Sequence, residues 1–274
     1  MTNRSFISTL CLSLCLALAA APAWAASLSD VTRTLETPFQ EETDKEFRIY
    51  DYSADFFQES MIVSLDRLQR ANGRVEVAFD YRKDQAAPVV KFRWQYNQPT
   101  NQEIVSDNKT LSVYLPENNQ VIQSDIAMVK QARQDDPMTF ITGLGNLSRD
   151  FQISWATPNK DADGNYILEL TPRQASPLIS RLVMVVDRNA VEAYQRRCQK
   201  EQSEIPLAVP GNEGSQNDIR FPILSTAVYD PNGNSTTIEF GNLQVNLGIP
   251  ETTFNFSVPP GVQVVRPTGE EMGF

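Results

Sequence analysis

The sequence predicts a mostly β fold of the α+β class, with one antiparallel sheet of about eleven strands and a few short helices. Apolar and polar residues alternate strictly in stretches such as 74–81 and 90–97, as they do in strands that bury one face. Turn-forming residues separate these stretches, and the short connections favour an antiparallel meander over a parallel sheet. Helical periodicity is confined to a few short segments.

The first 25 residues have the pattern of a bacterial secretory signal. Arg4 precedes an apolar run, which ends in the small residues Ala23 and Ala25 on either side of Trp24. This pattern predicts cleavage after Ala25 and export to the periplasm. The remaining residues, 26–274, are enough for one large all-β domain or two smaller ones. The apolar run is too short for a membrane anchor.

Composition excludes several classes of function. The chain has 274 residues, a net charge of −10 and no histidine, and its acidic character without basic clusters argues against nucleic-acid binding. The lack of histidine excludes Ser-His-Asp and Cys-His catalysis and most zinc sites. Cys198 is the one cysteine beyond the predicted cleavage point, so no internal disulfide can form. We therefore expect no catalytic residue, metal or cofactor, although a hydrolase that uses two carboxylates stays conceivable.

A short amphipathic helix is predicted at the start of the exported chain. Leu28, Val31 and Leu35 follow the spacing of one helix face, Ser27 or Ser29 can cap the helix, and Pro38 ends it. Beyond Ala54 the period changes to two. After the strands at 74–81 and 90–97, the pattern predicts strands near residues 109–116, 119–124, 150–155, 166–172, 178–187, 221–230, 235–245 and 253–258.

Two further helical segments are predicted between these strands, at 124–133 and from Asp136 to Gly145. In the second, Asp136 is a good N-cap and Pro137 fits the first helical position. Its apolar stripe consists of Met138, Ile141 and Leu144.

Residues 188–218 interrupt the meander. The first half is charged and can form a helix with a narrow apolar stripe at Val191, Tyr194 and Cys198, and the second half is rich in loop-forming residues. A hairpin needs only a few residues at this point, so we expect an excursion from the domain that is dispensable for folding.

The stretch 90–97 places Val90, Phe92, Trp94 and Tyr96 on one face of a strand. This aromatic face must point towards the helices. Two arrangements satisfy the pattern: helices and sheet fill the interior completely, or the sheet curls into a half-barrel under a removable helical lid. Pattern alone does not separate them.

A family resemblance favours the second arrangement. The block 92–122, with Phe92, Trp94, the Gln98–Pro99 turn and the run 104–111, resembles the signature block of LolA, the periplasmic carrier family for outer-membrane lipoproteins. Asn108 stands where that family usually has glycine. Three other segments resemble LolA in the same order, namely 54–59, 168–172 and 236–265.

The resemblance implies an unclosed antiparallel half-barrel of about 11 strands covered by a short-helix lid. It implies a carrier that binds the acyl chains of lipoproteins and moves them from the inner to the outer membrane as a monomer. Its implied partners are acylated lipoproteins, an inner-membrane ABC-type release complex and an outer-membrane receptor lipoprotein. The expected acyl-chain contacts are Phe57, Val77, Phe79, Phe92, Trp94, Tyr96, Leu111, Val113, Met138, Ile141, Leu144, Leu168, Leu170, Ile238 and Phe240.

Two departures leave an alternative open. LolA proteins often carry a basic residue before a proline at the turn into the aromatic strand, where this chain has Ala86 or Ala87, with Arg82 or Lys83 as substitutes. The excursion at 188–218 is also atypical. The alternative is a LolA-like lipid-sensing regulator of the envelope, or a carrier of another lipid.

Overall fold

The computed structural model describes residues 26–81, 88–126, 144–202 and 219–267. The helices in these residues are α1 Leu28–Glu36, α2 Leu147–Asp150 and α3 Arg188–Gln202. The strands are β1 Asp51–Ile62, β2 Arg67–Asp80, β3 Val89–Gln98, β4 Gln102–Ser106, β5 Thr110–Leu115, β6 Gln120–Asp125, β7 Phe151–Lys160, β8 Tyr166–Pro172, β9 Arg181–Val186, β10 Ile223–Tyr229, β11 Ser235–Val245 and β12 Gln263–Val265.

All the strands of the described residues belong to one sheet, in the order β12-β6-β5-β4-β3-β2-β1-β11-β10-β9-β8-β7. Neighbours are antiparallel except β12, which runs parallel to β6. Within the described chain β7 and β12 do not pair with each other, so the sheet stays unclosed. The predicted fold class is confirmed.

One face of the sheet, the inner face, carries the hydrophobic core. Strict alternation on the central strands β1, β2 and β3 sends every second side chain to this face. The strands β8, β9 and β10 contribute to the same cluster from the other half of the sheet. Buried residues of this cluster include Tyr52, Phe56, Val75, Val77, Phe92, Trp94, Leu168, Leu170, Leu182 and Met184.

Helix α1 covers part of the inner face, as its sequence predicts. Val31 and Leu35 are both fully buried in the core. Ser27 is the N-cap: its Oγ accepts from the Asp30 N–H at 3.1 Å, and the Asp30 carboxylate accepts from the Ser27 N–H at 3.0 Å. This reciprocal pair satisfies two backbone donors that the first turn leaves free.

The predicted lid segment is described only in part. Met138 and Ile141 lie outside the described residues, as does the 82–87 turn that carries the candidate basic substitutes. Leu144 begins a 3-10 turn, Leu144–Asn146, and is 2% exposed within the core cluster. This turn packs beside α1, so the end of the segment covers the inner face.

The predicted excursion is an integral element over its first half. Residues 188–202 form α3, which packs against α1, and Val191 is fully buried in the core. The Gln195 side chain donates to the Asp30 carboxylate at 3.0 Å, which joins the two helices. Because Val191 of the apolar stripe is buried in the core, we now expect α3 to contribute to folding, in contrast to the expectation that residues 188–218 are dispensable. Residues 203–218 lie outside the described chain.

A C-terminal strap, residues 246–262, crosses the outer face of the sheet. The Asp51 carboxylate accepts from the N–H groups of Leu247, Gly248 and Ile249, and Phe254 is 1% exposed. The strand predicted at 253–258 is wrong, because these residues pack through their side chains and form no ladder; Glu251–Phe254 is a 3-10 turn.

We expect Val191→Ala to lower the free energy of unfolding by about 2 kcal/mol, since it leaves a cavity beneath α3. Glu192→Ala is the matched control, because Glu192 is exposed and its pairing with Arg196 at 3.8 Å is a surface ion pair. Urea denaturation of both variants measures the difference. Equal stabilities would mean that α3 is not part of the folding unit.

Candidate functional site

The aromatic residues of β3 lie on the inner face of the sheet. Phe92 is 7% exposed and Trp94 is 1% exposed, so the middle of this row is packed inside the core. Tyr96, at the end of the row, is only partly buried. Burial raises the pKa of Tyr96 to about 12, so its hydroxyl stays protonated at neutral pH.

The ring of Phe56 packs against this row from β1. Its centroid lies 4.6 Å from the Trp94 ring and 5.0 Å from the Tyr96 ring, the second in an edge-to-face arrangement. Gly73, on β2 between them, pairs with both Phe56 and Tyr96. A Cβ on Gly73 would lie 1.8 Å from the Gln95 carbonyl oxygen and 2.8 Å from the Phe56 ring. The missing side chain therefore lets three aromatic rings meet across three strands.

The inward placement predicted for Phe57 is wrong by one residue. Phe57 is 41% exposed on the outer face, whereas Phe56 is 3% exposed on the inner face. The local sequence contains a signal for this register, since Asp55 and Glu59 share the parity of Phe57, while Tyr52 shares the parity of Phe56. Charged residues on one parity mark the face that water contacts.

The other predicted contacts divide into a packed centre and accessible flanks. Those of the centre are buried and pack in the core: Val77, Phe79, Phe92, Trp94, Leu144, Leu168 and Leu170. Leu111 and Val113 on β5 form the first flank, on the inner face and only partly buried. Nearer the middle of the sheet, the inner-face residues Tyr96, Ile238 and Phe240 are also only partly buried. A role in binding acyl chains stays a prediction for all of them.

Sequence reasoning missed a second accessible flank on β7 and β8. Phe151, Ile153 and Trp155 share one parity on β7, and Tyr166 lies on β8 with its ring 5.9 Å from that of Trp155. All four are partly buried against the core. The alternation of β7 was visible in the sequence, but nothing there showed that this edge strand leaves apolar rings accessible.

One end of the inner face is polar and uncharged. The Tyr96 hydroxyl donates to the Gln58 side-chain oxygen at 2.9 Å, and the Gln58 amide donates to the Ser60 hydroxyl at 3.2 Å. The Ser60 and Thr236 hydroxyls lie 3.1 Å apart, which extends the chain of hydrogen bonds to β11. The buried Trp94 side chain adjoins this chain through a side-chain hydrogen bond with Tyr96, which partly offsets the rise that burial causes in the Tyr96 pKa.

Within the described residues no group of three or more Cys, Asp or Glu side chains is placed to hold a metal ion. None of the helices described is long and apolar enough to cross a bilayer.

We expect Gly73→Ala to destabilise the protein by about 3 kcal/mol or more, because the new methyl group overlaps a backbone carbonyl that the sheet holds in place. Gly241→Ala is the control, since a Cβ there meets nothing within 4 Å. Thermal melting of the two variants tests this prediction, and a Gly73→Ala protein as stable as Gly241→Ala would contradict the close packing of Phe56.

Comparison with known proteins identifies the family of this chain. A sequence profile described as outer membrane lipoprotein carrier protein LolA matches residues 48–203, more than half of the chain. An outer-membrane lipoprotein carrier protein of Bordetella pertussis is 27% identical over 250 residues, which cover 91% of each chain. The homologous protein of Bordetella avium is 26% identical over 176 residues, or 64% of this chain and 66% of that one.

Among solved structures, a LolA superfamily protein of Nitrosomonas europaea is similar with a TM-score of 0.37 and 12% identity, over 85% of this chain and 99% of that one. The family assignment depends on the sequence matches and not on this likeness. The profile match includes all of α3, which the motif comparison had left outside the family pattern. This chain belongs to the LolA family of outer-membrane lipoprotein carrier proteins.

Proposed function

We propose that the protein is a periplasmic carrier that shelters the acyl chains of lipoproteins against the inner face of its sheet and moves them from the inner to the outer membrane. The observation that carries this proposal is the pair of partly buried apolar flanks on the inner face. One flank includes Leu111 and Val113, and the other includes Ile153 and Trp155. Contiguous apolar side chains that stay partly accessible on one face are typical of surfaces that bind a ligand or a partner.

The physical need for such a carrier is large. Exposing an acyl chain to water costs about 0.8 kcal/mol per methylene group, or on the order of 12 kcal/mol for a chain of about sixteen carbons. A lipoprotein carries more than one chain, so unassisted diffusion between membranes is negligible. Burial against apolar side chains is non-directional, and an apolar face of this kind accepts chains of different length.

The proposal includes where the protein works and what it meets. Cleavage after Ala25 gives a monomeric domain, residues 26–274, in the periplasm. It receives acylated lipoproteins from an inner-membrane ABC-type release complex and delivers them to an outer-membrane receptor lipoprotein. The LolA family assignment supports these partners.

Transport of this kind needs no catalytic group. Affinity comes from apolar burial, and direction comes from the difference in affinity between the carrier and the receptor. The sequence without histidine and the apolar inner face both suit a carrier that performs no reaction.

Binding of apolar ligands is the first test. The purified exported chain should bind an environment-sensitive apolar dye, and a diacyl lipid should displace it. Mass spectrometry of protein expressed with native lipoproteins should find acyl chains bound. A protein that binds neither dye nor lipid would exclude a carrier function.

We expect Phe240→Ser to weaken dye and lipid binding about tenfold, because it removes an inner-face ring that is partly accessible. Phe57→Ser is the matched control: Phe57 pairs with Glu239, the neighbour of Phe240, and lies on the outer face. Melting curves separate lost binding from lost folding. Equal effects of the two substitutions on binding would contradict the assignment of the inner face as the ligand face.

A further inference from the structure

We propose that the hairpin tip, residues 63–70 between and including the ends of β1 and β2, docks on the surface of a phospholipid bilayer by inserting aliphatic side chains among the lipids. This inference goes beyond the proposed function. The proposed function places a ligand on the inner face, whereas the hairpin tip would be the part of the protein that contacts a membrane.

Exposed aliphatic side chains are concentrated in the hairpin tip. Val63, Leu65 and Leu68 are 53%, 65% and 42% exposed. Of the seven large hydrophobic side chains that are exposed in the described parts of the chain, three therefore lie within these eight residues. Single exposed apolar residues are ordinary on a protein surface, but a cluster of them is typical of a surface that meets a partner or a membrane.

The position of the hairpin tip leaves it open at one end of the sheet. β3 pairs with β2 only from Asn72 onwards, and β11 pairs with β1 only as far as Met61. Every residue from Val63 to Arg70 is accordingly exposed. A surface that approaches this end of the sheet can contact the aliphatic side chains without any rearrangement of the strands.

The hairpin tip is also ordered before it meets a partner. Residues Val63–Leu65 form a 3-10 turn, in which the Asp66 N–H donates to the Val63 carbonyl at 3.1 Å. The Val63 N–H donates to the Asn234 side-chain oxygen at 2.9 Å, which fixes the tip to the turn between β10 and β11. Because the turn is already formed, docking costs little further conformational entropy.

A neighbouring loop adds an apolar side chain at the same end of the sheet. Leu178, between β8 and β9, is 42% exposed. The Ser180 hydroxyl donates to the Asp230 carbonyl at 3.1 Å, and Asp230 begins the turn whose Asn234 holds Val63. Hydrogen bonds thus join the loop of Leu178 to the hairpin tip through one intervening turn.

The arrangement of these side chains favours a bilayer over a protein partner. Leu68 shares the outward parity of Phe57, Leu65 lies in the turn itself, and Val63 lies beside Gly233. Side chains that point in different directions around a tip cannot all contact one flat protein surface, whereas lipids can surround them. A specific protein interface also uses about 20 to 30 residues a side. The eight residues of the tip are too few for a stable contact with a second copy of the chain.

The local charge favours a bilayer that contains anionic lipid. The chain as a whole has a net charge of −10, so an anionic surface repels most of it. Residues 60–72, in contrast, contain two arginines and one carboxylate, that of Asp66. Arg70 pairs with Glu59 at 3.0 Å, whereas Arg67 is exposed and makes no salt bridge within the described chain. Arg67 is therefore placed to meet a lipid phosphate beside the inserted side chains.

Co-sedimentation of the exported chain, residues 26–274, with vesicles of phosphatidylethanolamine and phosphatidylglycerol tests the inference. We expect the double variant Leu65→Ser/Leu68→Ser to bind these vesicles about tenfold more weakly than the wild-type protein, because it removes the apolar side chains that insert. Leu247→Ser is the matched control, since Leu247 is 52% exposed but lies at the opposite end of β1, where its N–H donates to Asp51. The single variant Leu65→Ser replaces the double variant if the latter does not fold.

The contribution of charge has its own measurement. We expect Arg67→Gln to weaken binding to vesicles with phosphatidylglycerol about fivefold and to leave binding to pure phosphatidylcholine vesicles unchanged. High salt should remove the difference between Arg67→Gln and the wild-type protein.

The outcomes separate this inference from the proposed function. Absence of vesicle binding by the wild-type protein, or an equal loss in Leu247→Ser and the double variant, overturns the docking role of the hairpin tip. If Phe240→Ser weakens vesicle binding while the double variant does not, the inner face meets the membrane and the tip does not. If the wild-type protein forms dimers that the double variant loses, and binds no vesicles, the tip is a self-association surface and the inference is overturned. In each case displacement of the apolar dye from the inner face still tests the carrier function independently.

Discussion

The contact of Phe56, Trp94 and Tyr96 above Gly73 fixes the registers on which the rest of the sheet depends. Gly73 leaves room for the Phe56 ring, and this ring then packs on both aromatic residues of β3. A slip by one residue would send every apolar side chain of β1 or β3 to the outer face. The pairing of Phe56 with Phe240 carries the same parity into β11 and the second half of the sheet. One local packing arrangement thus gives a continuous apolar face.

Both faces of this unclosed sheet carry apolar side chains that have to be shielded from water. The chain covers each face by a different means. On the inner face α1, α3 and Leu144 insert apolar side chains into the core. On the outer face the strap, residues 246–262, is held by polar contacts: Arg93 donates to the Thr253 carbonyl at 2.6 Å and to the Asn255 carbonyl at 3.1 Å. The strap leads into β12, which pairs with β6. Two outward residues of this region, Val105 on β4 and Val121 on β6, are 1% and 0% exposed.

Most of the fold could be predicted from the sequence because alternation reports which side chains are buried. The strands β8 and β11 have the bounds that the pattern predicts, and Ser27 caps α1 as expected. Alternation does not report hydrogen bonds, however. Residues 253–258 alternate like a strand because Phe254 packs on the outer face, yet their backbone joins no ladder. The misplacement of Phe57 has a similar cause, since two adjacent phenylalanines fit either parity until the charged neighbours are counted.

The candidate site was less predictable than the fold for a physical reason. A sequence marks an inward-facing residue, but it does not mark whether neighbours from distant strands fill the space around that residue. Trp94 and Trp155 both alternate as inward residues, yet Trp94 is buried beneath Phe56 while Trp155 stays partly accessible on an edge strand. The same limit applies to polarity, since the chain of hydrogen bonds joins Tyr96 to Gln58 across 38 positions and Ser60 to Thr236 across 176 positions.

Apolar burial and hydrogen bonding have complementary effects on a ligand held against such a face. The free energy of apolar burial grows with chain length and has no preferred direction, so it retains an acyl chain without orienting it. A single hydrogen bond adds little affinity, but its geometry is directional. In a carrier of the kind proposed above, an apolar face that ends in the neutral chain Tyr96–Gln58–Ser60 would therefore combine tolerance for different acyl chains with a preferred orientation of the ligand.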